Sequence, residues 1–151
     1  MGHALGRGRL AAMQVKRSGT PEKVAVAATG HGVRVPISAH PEPPDEEWKG
    51  LFTHATSLQA IGSQVGAYQM IGSLRVDANA IIFGVPMSST PTVPHMLTAI
   101  DNALVEANKK WEQRQSERAE QVDELKQQAE RQQQEFDRRL RQWGDENPPS
   151  R

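Results

Sequence analysis

Five histidines, His3, His31, His40, His54 and His95, are the residues best suited to bind a metal or move a proton. A metal site legible in sequence needs ligands a few positions apart, on one helical turn or in a tight loop, with carboxylates or thiols interleaved. No two of these histidines stand that close, and H-E-x-x-H is absent. A site gathered in space from His31, His40 and His54 is the one arrangement left, and lone histidines are unspecific. The expectation is no metal and no cofactor. His31 then belongs to a turn, His40 to a loop, and His54 and His95 lie near helix ends.

Asp45, Glu46 and Glu47 in "PEPPDEEW" form an acidic cluster. Neighbouring carboxylates do acid–base work when their surroundings drive their pKa values apart. Here they precede an apolar, helically spaced run, so they suit the positive end of a helix dipole instead. "TGHGVRV" offers two glycines, but it leads into a strand, and no helix N-terminus awaits a phosphate. No G-x-S-x-G elbow occurs. No catalytic residue is assigned, and an enzyme is not expected.

Two basic groups remain. Arg7, Arg9, Lys16, Arg17 and Lys23 face only Glu22 in the first 23 residues, and Arg131, Arg138, Arg139 and Arg141 sit together near the end. They carry the alternative reading, a nucleic-acid-binding accessory factor whose footprint is Arg7, Arg9, Lys16, Arg17, Arg138, Arg139 and Arg141. Against it, Glu130, Glu135 and Asp137 interleave with the late arginines. Across the whole chain 18 basic residues balance 18 acidic ones, so no global field favours a polyanion.

The strongest pattern is apolar. Val122, Leu125, Ala129, Phe136, Leu140 and Trp143 recur at helical spacing within "EANKKWEQRQSERAEQVDELKQQAERQQQEFDRRLRQW", a run without glycine or proline. They are too many for a solvated rod and too few for a tight coiled coil with every a and d position filled. A partner surface is expected, serving a copy of the chain or a larger protein. The competing reading is a solvated extension. Trp143 weighs against it, because a large apolar ring at the end of a tail suits an anchor.

The elements that position these residues follow from periodicity. Hydrophobic residues make up 36% of the chain, below the ~45–50% of an ordinary domain, because the deficit lies beyond residue 108. Val24 and Val26 with Val33, Val35 and Ile37 keep period two around Gly30-His31-Gly32, which predicts a hairpin. Pro36 lacks a ladder donor and suggests an edge or the end of regular pairing. Trp48, Leu51, Phe52 and Ala55 predict a short amphipathic helix. Residues 58–72 fit helix or strand equally. Leu74 and Val76, then Ile81, Ile82, Phe83 and Val85, predict a second hairpin with its second strand central. A long helix is expected from Pro94 to Trp143, its first turns packing Met96, Leu97, Ile100, Leu104, Ala107 and Trp111 on the sheet.

The expected fold is α+β: a small two-layer domain with an antiparallel sheet of two hairpins and a short helix, followed by a long, projecting, coiled-coil-like C-terminal helix. Residues 1–22 are expected as a basic unstructured arm, with Met13 a second candidate start. Residues 23–111 are the domain, 112–143 the amphipathic helix and 144–151 an unstructured tail. The chain has no cysteine, which favours a reducing cytoplasm, and no apolar run long enough for a membrane span. The predicted role is a non-enzymatic, oligomerising adaptor, scaffold or regulatory subunit.

Overall fold

The computed structural model describes residues 13–62 and 67–150. Its elements run β1 (Gln14–Arg17), β2 (Glu22–Val24), β3 (Gly32–His40), α1 (Glu46–Thr53), α2 (Thr56–Gly62), α3 (Tyr68–Gly72), β4 (Arg75–Val76), β5 (Ala80–Gly84), a 3-10 turn (Met87–Thr92) and α4 (Val93–Glu146). All pairings are antiparallel, in the order β1-β3-β5-β4 with β2 also on β3. The α+β class is as expected. The chain divides into two compact units, Met1–Arg114 and Gln115–Arg151.

Both hairpins are present, Val24 pairing with Gly32 and Val76 with Ile81, but the first strand stops at Val24, leaving Val26 in the connection and Gly32 in β3 rather than in the turn. β5 lies between β3 and β4, the central place its apolar sequence requires. Pro36 is in no edge strand, because β3 carries partners on both sides. Arg17 pairs with Ile37 and Glu22 with Arg34, so residues 18–21 face only Val35 and Pro36 in a wide bulge between β1 and β2. The Pro36 carbonyl accepts from the Ser18 N–H at 3.0 Å on that side. The missing donor of Pro36 therefore points at the bulge, where no regular pairing needs it.

The expectation of an unstructured arm through residue 22 is overturned from Gln14 onward; residues 1–12, with Arg7 and Arg9, lie outside the described residues. Met13 and Val15 are buried, and this short alternation is enough once a sheet is there to receive it. β1 is fastened from its outer side. The Asn108 carboxamide, on α4, accepts from the Val15 N–H at 3.1 Å and donates to the Val15 carbonyl at 3.0 Å. Two residues on, Arg17 reaches both Asp101 carboxylate oxygens at 3.0–3.1 Å.

One sheet face carries Val15, Val35, Ile37, Ile81 and Phe83 against the helices. Trp48 and Phe52 from α1 stack at 5.3 Å between ring centroids and are fully buried. α4 contributes Met96, Ala99, Ile100, Ala103, Leu104, Ala107 and Trp111, a 3- and 4-residue spacing on one side. This extends the expected face by two alanines that let the helix approach closely. The Trp48 indole N–H donates to Asn108 Oδ1 at 3.0 Å, so one amide serves both strand and core ring. At the start of α2, the Thr56 N–H donates to Glu106 Oε2 at 2.8 Å and its hydroxyl bonds Oε1. These bonds, the hydroxyl's first, hold the Glu106 carboxyl below its ordinary pKa.

Gly30 is the turn glycine of the first hairpin, with φ +84°. Gly32 and Gly84 have a different task. They are register partners on the other sheet face, and the segment from Val26 to Thr29 crosses directly over both, leaving no room for a Cβ at either. The ambiguous stretch resolves into α2 and α3, with Leu58, Ile61 and Met70 buried and Tyr68 65% exposed; Val65 lies outside the described residues.

Candidate protein-interaction site

The second unit is built from residues with good helix propensity, Glu, Gln, Arg, Lys and Ala, uninterrupted from Gln115 to Trp143. Side-chain pairs one turn apart brace it. Glu135 accepts from Arg138 at 2.7 Å and Arg139 at 2.9 Å, and Gln142 donates to Glu146 at 3.0 Å. Both arginines hold the Glu135 carboxyl down to about 2, the Arg138 hydrogen bond acting most strongly, and Arg138 is raised in return. The unstructured tail expected from residue 144 begins later. The helix continues through Gly144 to Glu146, and the Asn147 N–H and side-chain amide both donate to the Trp143 carbonyl, at 2.9 and 3.0 Å. An asparagine just past the last turn thus satisfies an otherwise orphaned carbonyl.

The six stripe residues lie in this helix. Val122 is 62% exposed, Leu125 66%, Phe136 53%, Leu140 54% and Trp143 46%, and Ala129 is also exposed. Val122, Ala129, Phe136 and Trp143 are spaced seven apart, the recurrence of a single heptad position. Phe136 and Trp143 meet edge to face, 6.5 Å between centroids at 83°. Beside them a shallow groove is lined by Arg131, Gln132, Glu135 and Arg139. Large apolar groups at regular spacing, held in one row by a rigid backbone, suit burial against another helix.

The residues of the nucleic-acid alternative are not gathered in the same way. Lys16 and Arg17 are successive in a strand, so they point to opposite sheet faces, and Arg17 is engaged with Asp101. Arg138 and Arg139 are engaged with Glu135. Arg141 lies two residues after Arg139 in the same helix.

In the first unit, Asp45 caps α1, its Oδ1 accepting from the Trp48 N–H at 2.7 Å, while Glu46 and Glu47 occupy the first turn as expected. His54 closes the same helix, its Nδ1 2.9 Å from the Gly50 carbonyl oxygen. His31 is in the hairpin turn and His40 at the end of β3. Among the described residues no group of three or more His, Asp or Glu is placed to hold a metal ion, and no helix is long and apolar enough to cross a membrane. Asn108 was not singled out by its type. Its place between Leu104 and Trp111 on the apolar side of α4 was the available signal.

The chain matches no known protein family, no curated protein and no solved structure.

Proposed function

We propose that this protein is a non-enzymatic interaction protein, an oligomerising adaptor, scaffold or regulatory subunit, that associates through Val122, Leu125, Ala129, Phe136, Leu140 and Trp143. One observation carries the reading. Four large side chains and an indole, each about half or more exposed, lie in the second unit, where most of the other exposed residues are charged or amide. Leaving that much apolar area in water is unfavourable by ~25 cal/mol per Å², and a partner helix or groove removes it. The absence of cysteine supports a cytoplasmic setting. Nucleic-acid binding is the weaker reading, since two of its arginines are already paired with Glu135.

The test is light scattering on the purified full chain with absorbance at 260 and 280 nm. The proposal expects a mass above monomer, or a stoichiometric protein partner. It expects either to be lost when Leu125, Phe136 and Trp143 become Gln, with little effect of salt. A monomer that retains nucleic acid and releases it steeply with salt supports the alternative instead.

A further inference from the structure

Resting on that reading of the stripe, we infer that its occupant is a second copy of the same helix, running antiparallel and in register about its midpoint. Charge supplies the first argument. Residues 115–130 carry Glu117, Glu120, Asp123, Glu124 and Glu130 against Arg118 and Lys126. Residues 131–146 carry Arg131, Arg138, Arg139 and Arg141 against Glu135, Asp137, Asp145 and Glu146. The helix passes from net acidic to neutral between Glu130 and Arg131. A parallel pair sets acidic half on acidic half; an antiparallel pair sets the acidic half of each copy on the neutral, arginine-bearing half of the other.

Length gives the second argument. The second unit starts at Gln115 and its helix ends at Glu146, and the point midway between these two residues also falls between Glu130 and Arg131. Antiparallel pairing about that point matches the unit with itself from end to end, roughly 48 Å of helix at ~1.5 Å per residue.

The side chains give the third. In this register, facing residues have numbers that add to about 261. Leu125 then meets Phe136 of the other copy. Ala129, small, meets Gln132. Val122 lies along the Arg139 stem, and Trp143 receives Arg118 over its indole. The four apolar residues spaced by seven are thus each covered by Leu125 or by a long side chain, Arg118, Gln132 or Arg139, of the other copy. In a parallel pair Arg118, Gln132 and Arg139 would each face their own copies.

The native chain has no cysteine, so single cysteines placed beside the seam in the full-length protein report cleanly. Spin labels at Gln121→Cys, Gln128→Cys and Gln142→Cys are read by dipolar spectroscopy. Antiparallel pairing about the midpoint expects the shortest interchain distance at 128, with axial offsets of about 8 Å there, about 28 Å at 121 and about 35 Å at 142. One equal short distance at all three sites overturns the antiparallel arrangement and leaves association through the stripe standing. No coupling, together with monomer mass, overturns the second copy as occupant. Coupling that survives Leu125→Gln, Phe136→Gln and Trp143→Gln together overturns the stripe itself.

Discussion

Asp45 and Trp111 are joined by a 3.3 Å hydrogen bond from the indole N–H to the carboxylate Oδ2, while the other Asp45 oxygen caps α1. One side chain therefore fixes the start of a short helix and its contact with the long one. Replacing Asp45 with Ala removes both bonds. The expected loss is about 1–2 kcal/mol, cap included, read from urea unfolding. Trp111→Phe removes only the second bond and some ring area, so α1 keeps its cap and the indole contribution is isolated.

Asn108 makes three bonds, two to the Val15 backbone and one to the Trp48 indole. Val15 and Trp48 are buried, so Asn108→Ala strands polar groups away from water. We expect a loss of roughly 2–4 kcal/mol. Amide exchange at Val15 should rise more than at Val35 in the middle of the sheet.

Gly32→Ala pushes a methyl into the Phe83 carbonyl oxygen and the Val26 side chain, and Gly84→Ala pushes one into the Thr29 and Val26 side chains. Each should destabilise by ~1–3 kcal/mol. Gly50→Ala, where the space is open, should be neutral or slightly stabilising in its helix.

Glu135 should titrate at about 2 by carbon-detected NMR. Because its folded value is depressed, whatever its pairs add to the helix is present above the ordinary carboxylate range and is lost as pH falls through that range toward 2. Arg138→Gln with Arg139→Gln should return the titration toward 4.5, the unshifted value. Glu106 is depressed by Thr56 in the same direction, so Thr56→Val should raise it.

Leu125→Gln, Phe136→Gln and Trp143→Gln lie in the second unit. They should leave near-ultraviolet dichroism from buried Trp48 intact while lowering the measured mass. A collapse of that signal would mean the stripe residues support the domain and do not serve a partner.

The two hairpins, α1 and the α4 face were legible because their signals are local: period two about Gly30, a cap before Trp48, and 3- and 4-residue steps from Met96 to Trp111. β1 was not, since two apolar residues in a basic segment carry little periodicity. Its anchors, Asp101 and Asn108, lie 84 and 93 residues further along the chain. Gly32 carries the signal of a turn glycine, while the constraints on it are the Phe83 carbonyl and the Val26 side chain, which sequence spacing does not encode. The stripe was legible in full, because on an exposed helix the order of side chains follows directly from 3.6-residue geometry.

Val15 sits in an outermost strand, and such strands ordinarily offer a row of unpaired peptide groups to any extended chain that meets them. At that residue both peptide groups are taken by a side-chain amide imitating a neighbouring backbone. Asn108 thereby works as a stopper. It withholds from other chains the place where a further strand would add on, and so guards this side of the sheet against edgewise polymerisation.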